Sequence, residues 1–284
     1  MSSIPLAVTG STGAVGGLVA RDLAGRGVAQ RLLVRTPARA PELAGSTVHA
    51  VTYSDAAAAT AALEGVETLF MVSAAENADR LAEHRAFIDA AAAAGVGHIV
   101  YTSFAAAAPD AVFTLARDHY ATEEHIKASG LRYTFLRDTL YLDFLELMTG
   151  DDGVIRGPAG DGRAAFVARA DVARTAAAIL LDPAPHAGAT YDLTGPEALS
   201  LAEVAAILTR VTGRDVAFHD ETVEEAYASR AGYGAPPWQL DAWVSTYTAI
   251  KSNVMAPLSP AVESITGIPP ETFETYLTTR PAPQ

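Results

Sequence analysis

The chain has 284 residues, half of them hydrophobic, which allows one large α/β domain or a main domain with a small appendage. Its 33 acidic side chains against 20 basic ones leave a formal charge of −13, which disfavours a nucleic-acid partner, because phosphate contacts need a basic face. Zero cysteines exclude disulfides, thiolate catalysis and cysteine-ligated metals. The seven histidines show no i, i+4 pair, so no metal site is expected. No apolar run approaches the roughly 18 residues of a membrane span, and Met1-Ser2-Ser3-Ile4-Pro5 lacks the basic and apolar regions of a secretory signal. The expected location is the cytoplasm, without membrane attachment.

The first predicted element is a strand that starts near Ile4 and runs into glycines at 10, 13 and 16. Gly10 lets the chain turn sharply out of the strand. Gly13 removes the side chain that would block a pyrophosphate, and Gly16 lets the following helix lie close to the strand. That helix presents free N–H groups and a positive dipole end to the phosphates. Residues Gly10, Ser11, Thr12, Gly13, Ala14, Val15 and Gly16 therefore form a candidate dinucleotide loop. Their spacing, G-x-x-G-x-x-G, differs from the common G-x-G-x-x-G, so the strand before and the helix after carry the argument.

The second strand, Arg31–Arg35, leads into Thr36, with Arg39 nearby and no acid before Glu42. An acid here would bind the ribose 2′-hydroxyl of NAD. Arginines pair instead with a 2′-phosphate, so NADP(H) is the expected cofactor, with Arg35 and Arg39 as its contacts. A third strand at 48–51 leads to Tyr53 and Asp55. These two either edge the adenine, or Asp55 caps the helix over 56–63. A fourth strand over 68–73 places Val72, Ser73 and Ala74 on the cofactor side. A helix over 78–94 and a fifth strand, His98–Ser103, follow. Then come a helix over 114–128 and a sixth strand, Arg132–Arg137. Strands alternating with helices predict a Rossmann-type, doubly wound parallel sheet in an α/β fold.

Beyond residue 150 the alternation weakens. Residues 151–153 and 157–162 read as turn-rich, 171–181 as a helix and 190–193 as a strand. Ser200 with Glu203 forms a capping box for a helix over 201–212. The acidic residues at 220–225 read as a solvated helix start. Aromatic residues between Pro and Gly breaks over 222–284 predict a small, mostly helical C-terminal substrate cap on the sheet edge where ligands bind. The expected division is an NADP-binding domain over 1–150, with a contribution from about 165–195, and a smaller cap over 196–284.

Several of these segments together resemble the atypical short-chain dehydrogenase/reductases of the NmrA-like group. They are Gly10–Gly16, Val100-Tyr101-Thr102-Ser103, His119–Ile126, Tyr133–Arg137 and the ending Glu263–Phe273. Within that group the likeness is to the type 2 NAD(P)H:quinone oxidoreductase and triphenylmethane reductase branch. The resemblance implies NADP(H) binding and reduction of a small conjugated molecule. It also exposes a departure. The superfamily's Tyr-x-x-x-Lys dyad, in which Tyr donates a proton and Lys holds the ribose, falls here on Leu115 and His119. Ser103 stands at the catalytic serine position. The candidate catalytic residues are therefore His119, Ser103 and Tyr141, with Ser103 and His119 also beside the cofactor.

A quinone accepts hydride without a strong enzymic acid, because its oxyanion is delocalised and is protonated by water. The sequence thus points to an NADPH-dependent oxidoreductase acting on a quinone or similar conjugated aromatic acceptor, as a monomer or homodimer. The alternative within the same group is a non-catalytic NADP(H)-sensing regulator.

Overall fold

The computed structural model describes residues 5–279. Ile4, which opens the expected first strand, and the outer limits of the expected domains at Met1 and Gln284 lie outside them. The chain divides into two units. One holds the residues up to Phe104 with Asp118–Arg137 and Ala170–Tyr191; the other holds Ala105–Arg117, Asp138–Arg169 and the residues from Asp192 on.

The first unit is built on β1 (Leu6–Thr9), β2 (Gln30–Val34), β3 (Ser46–Ala50), β4 (Thr68–Met71), β5 (His98–Phe104) and most of β6 (Arg132–Asp138). With β9 (Thr190–Leu193) these form a seven-stranded sheet of order β3-β2-β1-β4-β5-β6-β9. Val8 at its centre pairs in parallel with Leu32 on one side and Phe70 on the other. The chain starts mid-sheet, runs outward through β2 and β3, and crosses back to continue from β4. Strand order therefore reverses between β1 and β4, the place where open α/β sheets leave a crevice for ligands.

The helices follow from the sequence pattern. α1 (Ala14–Gly25), α2 (Ala56–Leu63), α3 (Arg80–Ala93), α4 (Thr114–Ala128) and α6 (Arg169–Leu181) alternate with the strands. Alternate strand residues, Ala7, Leu33, Leu69, Met71, Ile99, Tyr101 and Phe135, enter one apolar cluster. They meet Ala59 and Leu63 of α2, Phe87 and Ile88 of α3, and Ile126 of α4. This is the period of two expected of a strand meeting the helical stripe. Asp55 caps α2, accepting from the Ala58 N–H at 3.0 Å.

The second unit contains α5 (Leu142–Leu145), β7 (Val154–Gly157), β8 (Arg163–Ala164), β10 (Leu199–Ser200), α7 (Leu201–Thr212) and β11 (Ala217–Asp220). α8 (Val223–Arg230), α9 (Pro237–Lys251), α10 (Ala261–Thr266) and α11 (Phe273–Thr279) complete a helical C-terminal region. The Ser200–Glu203 capping box is present, and Thr222 with Glu225 forms a second one.

Two details depart from the sequence reading. The turn-rich stretches flank β7, paired in parallel with β11, and precede β8, paired antiparallel with β10, and the sequence pattern predicts neither strand. Glu221, grouped with a solvated acidic run, is buried and pairs with Arg230 at 2.9 Å. Among the described residues no helix is long and apolar enough to cross a membrane.

Candidate functional site

Gly10 turns the chain out of β1 with φ +65°, a conformation that only glycine adopts without strain. A Cβ added at Gly16 would lie 2.5 Å from the Gly10 carbonyl oxygen and 2.6 Å from that of Thr9. Glycine at 16 is therefore what brings α1 down onto the end of β1. Gly13 differs, since an added Cβ meets only the Gly10 oxygen, at 3.3 Å, and otherwise faces open space. Gly13 is also the N-cap of α1. It has no side chain to cap the first turn, and no acid lies there. The helix thus offers bare N–H groups and its positive end, and Thr12, Gly13 and Ala14 are exposed around it. Ser11 contributes a buried hydroxyl without a hydrogen-bond partner. An open cradle over Gly13, uncapped N–H donors and an orphan hydroxyl suit a dinucleotide pyrophosphate.

Arg35 directly follows β2, and Arg39 ends the short 3-10 turn Pro37–Arg39. Both are exposed, and neither meets a carboxylate among the described residues. Two unpaired guanidinium groups at the end of β2 are free to accept a dianionic group. Tyr53 is committed elsewhere. Its hydroxyl donates to the Val72 carbonyl at 2.5 Å and accepts from Thr9 Oγ1 at 2.7 Å, while the Val72 N–H donates to Thr9 Oγ1 at 2.9 Å. Its ring stacks on Phe87 at 4.3 Å. Together these contacts tie the ends of β1 and β4 to the segment after β3. Ser73 and Ala74 are held as firmly, by Thr102 Oγ1 at 2.8 Å and His84 Nε2 at 2.8 Å.

His119 is buried. Arg80 Nη2 lies 2.8 Å from His119 Nε2, and an arginine can only donate, so Nε2 accepts and Nδ1 carries the proton. That proton goes to the Tyr101 hydroxyl, 3.0 Å away. The same logic fixes His84. Its Nε2 accepts from Ala74 N–H, so its Nδ1 donates to Thr122 Oγ1 at 2.9 Å, and Thr122 donates to the Asp118 carbonyl at 2.7 Å. Burial first, and then the charge of Arg80, hold the His119 pKa well below its usual value and push that of His84 down to about 3. Both imidazoles are neutral at neutral pH. A histidine filled at both nitrogens has no proton to give, so this geometry suits His119 to holding Arg80 and Tyr101 in place.

Ser103 donates to Glu123 Oε1 at 2.5 Å. Glu123 is fully buried and also takes two bonds from Arg137, at 2.8 and 2.6 Å. The Ser103 proton is thus spent on a buried carboxylate. The sequence reading did not single out Arg80, Tyr101, Glu123 or Arg137. A signal was present, because Leu115, Ala116, His119, Thr122, Glu123 and Ile126 form one buried stripe of α4. Polar and charged residues inside such a stripe require partners.

Tyr141 belongs to the other unit, where its hydroxyl donates to Asp138 Oδ2 at 2.5 Å. Asp138 is buried, and burial pushes its pKa up to about 7 even though Tyr141 and the charge of Arg169 pull it back. The Arg169 guanidinium lies 5.0 Å from the Tyr141 ring centre. Burial and the neighbouring carboxylate hold the Tyr141 pKa well above its usual value. Unlike His119, this pair keeps an exchangeable proton near neutral pH.

Comparison with known proteins agrees with this architecture. Quinone oxidoreductase 2 of Escherichia coli (strain K12) is 38% identical over 243 residues, covering 83% of this chain and 84% of that protein. The crystal structure of the E. coli NADPH-dependent quinone oxidoreductase complexed with NADPH superposes with a TM-score of 0.88 at 33% identity, covering 96% of this chain and 98% of that one. The Citrobacter sp. triphenylmethane reductase complexed with NADP(H) gives a TM-score of 0.84 at 31% identity, covering 95% and 98%. The sequence model of the NmrA-like family matches residues 3–234, and the chain belongs to that family.

Proposed function

We propose that this protein is an NADPH-dependent oxidoreductase that transfers hydride to a quinone or a similar conjugated aromatic acceptor. The observation that carries the reading is the uncapped glycine turn at the reversal of strand order, with two unpaired arginines at the end of the neighbouring strand. The NADPH and NADP(H) complexes of the related reductases support the same cofactor here. Bound NADPH supplies the hydride.

The residues divide the remaining work. Gly10, Ser11, Thr12, Gly13, Ala14, Val15 and Gly16 hold the pyrophosphate, and Arg35 and Arg39 hold the 2′-phosphate. Tyr53, Asp55, Val72, Ser73 and Ala74 shape the cofactor's bed through the backbone ties already described. His119 and Ser103 act as positioning residues, each keeping a buried charged neighbour in register. Asp138, which holds a proton near neutral pH, is the group suited to supplying it, and Tyr141, hydrogen-bonded to Asp138, would relay that proton to the reduced acceptor. A quinone tolerates the missing Tyr–Lys dyad because its reduced oxyanion is delocalised.

The domain assignment keeps residues 1–150 and about 165–195 mainly for the dinucleotide and 196–284 for the acceptor, with the stretch from Asp138 through β7 joining the acceptor side. The net charge of −13 argues against nucleic acid as a partner. A chain that needs no disulfide suits the cytoplasm, and the protein acts there as a monomer or homodimer.

The test is incubation with NADPH and a panel of quinones, following the absorbance of the reduced nicotinamide. Oxidation of NADPH with at least one quinone is expected. Tight cofactor binding without turnover of any acceptor would favour the NADP(H)-sensing regulator instead.

A further inference from the structure

The second unit contains a cavity of about 420 Å³, within the size range of small-molecule sites. Its walls come from α5 and the turn after it, β7, the end of α8, and α9. Phe144, Leu147, Met148, Tyr233, Trp243 and Tyr247 supply its apolar and aromatic surface. Tyr247 forms a rigid floor, because an added Cβ at Gly157 would fall 2.1 Å from its ring. Glycine at that position lets the tyrosine lie flat on β7. Tyr233 stands on a turn between Gly232 and Gly234, 75% exposed, with its ring edge-on to Trp243 at 5.9 Å and 88°. Large apolar side chains this exposed around a concavity mark a binding surface.

The two cations in the wall are already occupied. Arg156 gives both terminal nitrogens to the Asp152 carboxylate, at 3.1 and 2.6 Å. Arg230 donates to Glu221 at 2.9 Å, to the Ala226 carbonyl at 2.9 Å, to Ser229 Oγ at 3.0 Å and to the Arg156 carbonyl at 2.8 Å. Its guanidinium face lies 5.0 Å from the Tyr247 ring centre. Neither arginine has a charge left over for a ligand. The walls offer aromatic faces and no uncompensated cation, so an anionic substituent would be buried here without a partner.

Resting on the proposed reductase activity, we infer that this cavity is the acceptor site and that it selects flat, uncharged aromatic molecules against anionic ones of the same ring system. Selection is by charge, because the ring faces contribute alike to both classes of ligand.

The experiment uses the full chain without cofactor and follows quenching of its tryptophan fluorescence by menadione and by 1,4-naphthoquinone-2-sulfonate. Menadione should quench saturably, and the sulfonate should bind at least about tenfold more weakly, since its charge finds no counter-ion. Tyr233→Ala, at an exposed position that leaves the fold intact, should weaken menadione about fivefold by removing one aromatic wall. Leu147→Arg, at a residue 74% exposed on the cavity wall, should raise affinity for the sulfonate by supplying a free cation. Sulfonate binding as tight as menadione to the unmodified protein, or no change in Tyr233→Ala, would overturn the inference. Its failure is separable from that of the activity. Saturable, Tyr233-dependent binding without NADPH oxidation leaves the cavity standing and removes the reductase, while turnover indifferent to Tyr233 does the reverse.

Discussion

At the scale of the residue, the decisive contrast is between charges left free and charges already spent. Arg35 is exposed and unpaired, whereas Arg80 and Arg137 are engaged with His119 and Glu123. Arg35→Ala should therefore weaken NADPH by about 1.5–3 kcal/mol, the range for a hydrogen bond to a charged group, and leave NADH almost unchanged. Calorimetric titration with both cofactors checks this, and equal losses would remove Arg35 from the 2′-phosphate. His119→Ala should act differently. It strands the Arg80 Nη2 and the Tyr101 hydroxyl in a buried place, at about 1–3 kcal/mol for each unsatisfied group. A lowered melting temperature is the expected result, and an unchanged one would mean that water replaces the imidazole without loss.

At the scale of the element, the glycine turn shows two glycines with opposite tasks. Gly16 faces protein and Gly13 faces space, as the Cβ distances of 2.5 and 3.3 Å state. Gly16→Ala should push α1 away from β1 and cost stability, typically about 1–3 kcal/mol for overpacking. Gly13→Val should leave the melting temperature near that of the unmodified protein yet abolish NADPH binding. Thermal melts and titrations of both variants separate the roles, and a Gly13→Val protein that still binds NADPH would make the loop a plain turn. This much was legible in the sequence, because a strand, three spaced glycines and a helix are local features. So was the Ser200–Glu203 box, and the Asp55 cap was one of the two readings open at that residue, since each needs only three residues of reach. The β7–β11 pair was not. Four-residue strands among Asp and Gly carry no readable period, and their pairing joins Ile155 to Phe218 across a long stretch of chain. The buried polar clusters were hidden for the same reason. Ser103 finds Glu123 20 residues away and Arg80 finds His119 39 away, so only the charged residues inside the buried stripe of α4 hinted at them.

At the scale of the whole molecule, these buried neutral groups set the response to acid. His84 titrates in the folded state at about 3 and His98 at about 4, and His119 also lies well below its usual value. Burial is the leading cause for all three. In the unfolded chain each would take up a proton near pH 6.5. Between the folded and unfolded pKa values the unfolded state therefore binds more protons, so stability is fully present above about pH 6.5 and is lost as the pH falls. Asp138 works in the opposite sense. Its folded pKa of about 7 exceeds the unfolded value near 4, so its contribution is present below about pH 4 and lost as the pH rises through 7. Each fully differing group is worth about 1.4 kcal/mol per pH unit, and three histidines outweigh one aspartate. Between pH 7 and 5 the net slope should make the protein less stable toward acid. Denaturant melts at several pH values measure it directly. Asp138→Asn removes the opposing group, so its stability should fall more steeply toward acid than that of the unmodified protein. Identical slopes for the two would show that Asp138 does not hold its proton at neutral pH, and would remove it as the reserve behind Tyr141.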